Sequence, residues 1–108
     1  MFEQKNEISV KETVELWNKK AIKLLDVRGE DERALATIEG VPRVDQKLAQ
    51  EIISQWPKDT PLVFHCHHGI RSLQAVFYFS NHGFTHVQSM AGGIDAWSQE
   101  VDPSIPRY

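Results

Sequence analysis

The sequence predicts an α/β fold in which a mostly parallel sheet is covered by helices on both faces. Two observations carry that prediction. Short apolar runs alternate with amphipathic, helix-like stretches from one end of the chain to the other, which is the pattern of strands joined by crossover helices. The runs themselves, such as Leu24-Leu25 and Leu62-Val63-Phe64, are unbroken apolar rather than alternating, as strands buried on both sides require. In such sheets ligands sit beyond the carboxyl ends of the strands.

The elements follow in order. Ser9 with Glu12 three residues on reads as a helix-opening capping box, and Val10, Val14, Trp17 and Ala21 recur behind it at helical spacing, giving a helix over about residues 10–20. Lys23 to Val27 is a buried strand that ends at Arg28-Gly29. A brief polar helix is expected from Glu30 to Ala36, and Gly40-Val41-Pro42 then breaks regular structure, with Val44 assigned to a short strand. Leu48, Ile52, Ile53 and Trp56 outline another amphipathic helix, closed by Pro57.

Leu62-Val63-Phe64 is the next strand, followed by a helix from Arg71 to about His82. Its residues Leu73, Ala75, Val76, Phe77, Tyr78 and Phe79 cover most of the helix surface, so it is expected to be buried on more than one side. Gly83 is its expected stop. Val87 to Met90 reads as a last strand, Gly92-Gly93 as a turn, Ile94 to Gln99 as a final helix, and residues 102–108 as an extended tail.

At 108 residues the chain matches one small domain, residues 1–108. A net charge of -3 leaves no basic footprint, so nucleic acid is not an expected partner. The opening Met1-Phe2-Glu3-Gln4-Lys5-Asn6-Glu7 is charged where a secretory leader is apolar, and no apolar run approaches the ~20 residues of a membrane span. A cytoplasmic protein with no membrane partner is the expectation. The single cysteine excludes an internal disulfide and a Cys-x-x-Cys redox pair, so sulfur chemistry would run through one thiol and an external partner.

That thiol sits in the most informative stretch of the chain, Val63-Phe64-His65-Cys66-His67-His68-Gly69-Ile70-Arg71-Ser72. Placed between a strand and a helix, Cys66 faces amides that have no partner within the helix, at the positive end of its dipole. Such a position favours ionisation: a free thiol has a pKa of about 8.5, and helix N-termini or nearby cations lower it to roughly 3.5–7.5. The residues His67, His68, Gly69, Ile70, Arg71 and Ser72 form a loop able to cradle a thiolate or an anionic group attached to it, with Arg71 adding a cation and Ser72 a hydroxyl. His67 and His68 are expected at the loop mouth. Asp26 and Arg28 leave an earlier strand at the same end of the sheet and are expected to support the loop, with Asp26 placed to fix loop amides and Arg28 spaced to pair with Glu32 on a helix. His65, Cys66, His67 and His68 are consecutive and lack a second ligand pair, so no metal site is expected.

Leu25-Asp26-Val27-Arg28 with Glu32, Ile38-Glu39-Gly40-Val41, Cys66 to Ser72, Gly83-Phe84 and Gly92-Gly93-Ile94-Asp95-Ala96-Trp97 together resemble the rhodanese family over nearly the whole chain. The resemblance implies a three-layer α/β/α fold with a mainly parallel five-stranded sheet. It implies an enzyme without metal or organic cofactor, in which Cys66 takes up a sulfane sulfur as a persulfide and passes it to a thiophilic acceptor. Its partners would be a small-molecule or protein sulfur donor, such as thiosulfate or a persulfide, and a thiol or sulfur-carrier acceptor. The spacing Cys66 to Arg71 is the family's Cys-x4-Arg, whereas the related tyrosine and cell-cycle phosphatases use Cys-x5-Arg. Two alternatives stay open: a Cys-based phosphatase or arsenate reductase, and a non-catalytic, regulatory binding module. The segment Asp102 to Tyr108 resembles rhodanese domains fused to enzymes that activate ubiquitin-like sulfur carriers. Where many members have His-Ile-x-Gly-Ala, this chain has Thr37-Ile38-Glu39-Gly40-Val41.

Overall fold

The computed structural model describes residues 6–108. The chain forms β1 (Glu7–Ile8), α1 (Val10–Asn18), β2 (Lys23–Asp26), α2 (Glu30–Leu35), α3 (Gln46–Gln55), β3 (Leu62–His65), α4 (Ile70–Asn81), β4 (Val87–Met90) and α5 (Gly93–Glu100). The four strands pair in parallel in the order β1-β4-β3-β2. Residues 1–5 of the charged opening segment lie outside the described part of the chain.

Successive residues of one strand feed opposite faces of the sheet, which is why both faces are apolar. Leu24 and Val63 join Ile8, Met90, Ile94 and Trp97 under α1 and α5. Their neighbours Leu25 and Phe64 join Ile52, Val76, Phe79 and Phe84 under α3 and α4. Burying each of these large side chains is worth about 1.5–3 kcal/mol. The α/β/α layering is as expected.

Among the described residues the sheet has four strands rather than five. At the outer edge of β2 only Asp26 and Arg43 form an isolated bridge, with Asp26 N donating to the Pro42 carbonyl and Val44 N to the Asp26 carbonyl. Pro42 has no N–H to extend that ladder backwards, and Asp45 already caps α3 on the other side of Val44, so the segment stays a single bridge. In the other direction, β1 escapes a periodicity reading because it is two residues long.

The helix ends are chemically specified. Ser9 accepts the Glu12 amide at 3.1 Å and Asp45 accepts the Leu48 amide at 2.8 Å, each satisfying one of the orphan donors at a helix start. Helix α4 departs from expectation: Val76 and Phe79 are buried, but Phe77 and Tyr78 are each 51% exposed, so it packs through one face. The tail is not a free extended segment either. Ile105 is buried, its carbonyl accepts the Ser98 hydroxyl, and Arg107 reaches Asp95 on α5. Among the described residues no helix is long and apolar enough to cross a membrane.

Candidate active site

Cys66 follows the last residue of β3, and α4 starts four residues later at Ile70. The first intrahelical bond is Leu73 N to Gly69 O, 3.2 Å. The amides of Ile70, Arg71 and Ser72 therefore precede the helix ladder, and that of Ser72 turns to the sulfur. Cys66 Sγ accepts Gly69 N at 3.1 Å and Ser72 N at 3.3 Å, and Ser72 Oγ lies 3.4 Å away. The thiol is 1% exposed. A sulfur wrapped by two amides and a hydroxyl at the start of a helix sits in a site that favours negative charge.

The loop is held from behind by α5. Ile94 N donates to the Cys66 carbonyl at 2.8 Å and Asp95 N to the His67 carbonyl at 3.2 Å. Gly93, at φ +62°, lies so close that a Cβ there would overlap both carbonyl oxygens. The expected Gly92-Gly93 turn is thus also a close approach to the cysteine loop.

Arg71 lies at the rim, with its side chain 43% exposed, and its guanidinium takes both oxygens of Glu32 at 2.5 and 2.7 Å. The Arg71 hydrogen bonds hold the Glu32 carboxyl down at about 2, against the opposing effect of burial, and Tyr108 adds to the lowering. Glu32 in turn raises the Arg71 guanidinium. Arg71 thus ties the loop to α2, and the expected pairing of Arg28 with Glu32 does not form. Arg28 instead uses all five N–H donors elsewhere: Nε to Asp26 Oδ1 at 3.0 Å, Nη2 to Asp26 Oδ2 and the Ala36 carbonyl at 2.8 Å each, Nη1 to Tyr108 Oη at 3.0 Å and the Glu32 carbonyl at 3.4 Å.

Asp26 does not bind the cysteine loop's amides. It accepts the Arg28 amide at 2.9 Å and the Arg33 guanidinium at 3.1 Å, and both partners of the Asp26–Arg28 pair are fully buried. Burial pushes the Asp26 carboxyl up, but the hydrogen bonds and charge of Arg28, together with His65, outweigh it and hold the group below its usual range. Such a pair is costly to break, because either half left alone is an uncompensated buried charge. Its place is directly beneath the loop: Asp26 is in register with His65. Burial pushes His65 down to about 4, with Asp26 at 4.0 Å opposing and Arg28 reinforcing the shift, so the residue before Cys66 is neutral at neutral pH.

His67 and His68 supply two of the three rings of an aromatic stack. The His67 ring lies between those of His68 and Tyr108, with centroids 3.9 Å away on each side. Tyr108 donates its hydroxyl to Glu32 Oε2 at 2.9 Å while accepting from Arg28. Burial raises the Tyr108 phenol above its usual value, so it stays a donor. Tyr108 and Glu32 are therefore site residues that motif spacing misses: they are 76 residues apart and meet only through the folded tail. Ser89 is a third, its hydroxyl 2.6 Å from that of Ser72. His67, His68 and Asp95 hold their ligand atoms within 4.8 Å of one another and are the group among the described residues able to approach a metal ion together. Arg107 already occupies both Asp95 oxygens, at 2.8 and 3.3 Å, so a cation would have to displace it.

A sequence profile described as Rhodanese-like domain matches residues 9–100. The chain is 32% identical over 92 residues to the thiosulfate sulfurtransferase GlpE of Shewanella oneidensis, covering 85% of this chain and 91% of that one. It is 28% identical over 100 residues to the thiosulfate sulfurtransferase GlpE of Pseudoalteromonas translucida, covering 93% and 95%. Among solved structures, the human single-domain sulfurtransferase TSTD1 superposes with a TM-score of 0.77 at 23% identity, over 90% of this chain and 98% of that one.

Proposed function

The chain belongs to the rhodanese-like domain family and is a rhodanese-type sulfurtransferase, and from that premise we propose that it moves a sulfane sulfur from thiosulfate or a persulfide donor to a thiophilic acceptor through a persulfide on Cys66. The observation that carries the proposal is the sulfur's setting: Sγ accepts the Gly69 and Ser72 amides at 3.1 and 3.3 Å at the start of α4. Those donors are fixed before any substrate arrives, so no reorganisation is needed when charge develops there.

With thiosulfate the steps balance as follows. The Cys66 thiolate attacks the outer sulfur, the sulfur–sulfur bond of the donor breaks, and sulfite leaves with its electron pair. Cys66 then carries a persulfide anion. A nucleophile such as cyanide or a thiolate attacks the terminal sulfur, and Cys66 departs as the thiolate it was. No redox cofactor enters this balance, because the sulfane sulfur changes only its partner. Arg71, half-exposed at the rim and fixed by Glu32, orients an anionic donor as it approaches. Asp26 and Arg28 act one layer lower, holding the end of β2 against β3.

Mass spectrometry of the protein after thiosulfate treatment tests the proposal: Cys66 should gain about 32 Da, the mass of one sulfur taken up by a thiolate nucleophile. Cys66→Ser should keep the fold and lose all transfer to cyanide. A Ser variant with substantial transfer would remove Cys66 from the mechanism. Aryl phosphate turnover that depends on Cys66, with no mass gain, would place the chemistry with the phosphatases.

A further inference from the structure

Ser89 sits on β4 with no exposed surface, and its hydroxyl has two neighbours: Ser72 Oγ at 2.6 Å and the Gly69 carbonyl at 3.4 Å. Ser72 Oγ in turn is 3.4 Å from Cys66 Sγ. A carbonyl only accepts and a hydroxyl has one proton to give, so the direction of the whole chain follows from one end. When Ser89 donates to Gly69, Ser72 must donate to Ser89, and the Cys66 thiol must donate to Ser72. An ionised sulfur has no proton and can only accept. Both hydroxyls must then turn, so that Ser72 donates to the sulfur and Ser89 donates to Ser72.

We propose that Ser89 is a positioning residue for the reactive sulfur, the outer member of a two-hydroxyl relay that reverses when Cys66 becomes a thiolate or a persulfide anion. On ionisation the thiol proton leaves to water and no proton crosses between the two oxygens; each O–H only rotates. The reversal sacrifices little. The 2.6 Å contact between the hydroxyls is kept in both directions, and the Gly69 carbonyl that Ser89 releases still accepts the Leu73 amide at 3.2 Å. What is gained is a donor to the anion whose own oxygen is polarised by a second donor behind it, and chains of hydrogen bonds strengthen one another in a buried, low-dielectric setting. The inference rests on Cys66 acting as a thiolate, as proposed above, but not on any sulfur donor.

The test is the pH dependence of alkylation of Cys66 by iodoacetamide, which reads the thiolate without sulfur transfer, in wild type, Ser89→Ala, Ser72→Ala and the double variant. Ser89→Ala removes one oxygen and leaves the Ser72 hydroxyl with the sulfur as partner; a thermal melt confirms that it folds. Its alkylation should be about threefold slower than wild type on the acid side of the profile, the size expected when a hydrogen bond loses its polarising neighbour, and the two rates should converge at alkaline pH, where every thiol is ionised. Ser72→Ala should slow the acid-side rate about tenfold, because a bond to an ion is lost. In the Ser72→Ala background, Ser89→Ala should then add nothing, since it acts only through Ser72. An unchanged or faster Ser89→Ala protein, a rate lowered equally at every pH, or an undiminished effect without Ser72 would each overturn the relay. Alkylation as predicted but no mass gain from thiosulfate would leave the relay standing and refute the sulfurtransferase mechanism instead.

Discussion

Gly93→Ala is the substitution for which the site's architecture makes the sharpest demand. Two costs add. The backbone there has φ +62°, a left-handed conformation that costs an L-residue about 1–2 kcal/mol. The new methyl would also overlap the Cys66 and His67 carbonyl oxygens, which are backbone and cannot swing aside. Relief requires α5 to withdraw from the loop, which forfeits the bonds from Ile94 N at 2.8 Å and Asp95 N at 3.2 Å, each worth about 0.5–1.5 kcal/mol net. The sum is about 3 kcal/mol, or a fall in Tm of between about 10 and 20 °C for a domain of this size. Gly40→Ala supplies the control. Its φ is +88°, but a Cβ there meets only the Trp17 ring, at 3.7 Å, so it should show the backbone cost alone, about 1–2 kcal/mol. Thermal melts of the two variants beside wild type, with persulfide formation on Cys66 followed well below the melts, separate the terms. If Gly93→Ala melted no lower than Gly40→Ala and took up sulfur at the wild-type rate, the claim that α5 braces the cysteine loop would be wrong.

The other expectations concern the Glu32–Arg71 pair. Arg71→Ala should raise KM for thiosulfate, and Arg71→Lys should restore only part of the loss, because a point charge cannot match the fork that takes both Glu32 oxygens at 2.5 and 2.7 Å; steady-state kinetics equal to wild type for the Lys variant would reduce Arg71 to a nonspecific charge. The Glu32 carboxyl, held at about 2 in the folded chain against 4.5 ordinarily, is depressed on folding, so its stabilisation is complete above about pH 4.5 and disappears as pH falls toward 2. With the Arg71 side chain 43% exposed, solvent screening reduces that contribution to about 1 kcal/mol. Glu32→Gln should therefore melt lower than wild type at pH 6 and equally at pH 2 (about the two ends of that titration); a Tm difference independent of pH would refute the linkage.

The sequence made the layers and the cysteine loop legible because both are written locally. Unbroken apolar strands, a Ser9 cap and the Cys66-to-Ser72 loop each depend on residues within a few positions of one another. What escaped was settled by encounters at a distance. Arg28 and Glu32 stand at helical spacing, yet Arg28 lies before the first turn of α2 and its guanidinium turns to Asp26, leaving Glu32 for Arg71, 39 residues away. Phe77 and Tyr78 read as core by composition, but α4 has a sheet on one side only. The tail carried one usable signal, the spaced apolar Ile105 and Tyr108 among prolines. Ser89 carried none, since a serine in a strand declares its partner only when α4 is laid across it.

The same encounters decide what kind of anion the site suits. Had Arg71 pointed at the sulfur, its charge would serve any oxyanion drawn to the loop. It is instead held at the rim by Glu32, where it meets a donor on approach rather than the sulfur itself, and the tail's Tyr108 reinforces Glu32 from the other side. Stabilisation of charge at Sγ is thus left to the Gly69 and Ser72 amides and the Ser72 hydroxyl, which are short-range and directional. Donors of that sort converge on one buried atom, whereas a tetrahedral oxyanion needs several oxygens satisfied at once by a wider ring. A single sulfur added to Sγ brings one charge and one atom into the same set of bonds. The loop of Cys-x4-Arg spacing and the placing of its arginine on Glu32 therefore point the same way, toward a site whose donors are local to the sulfur.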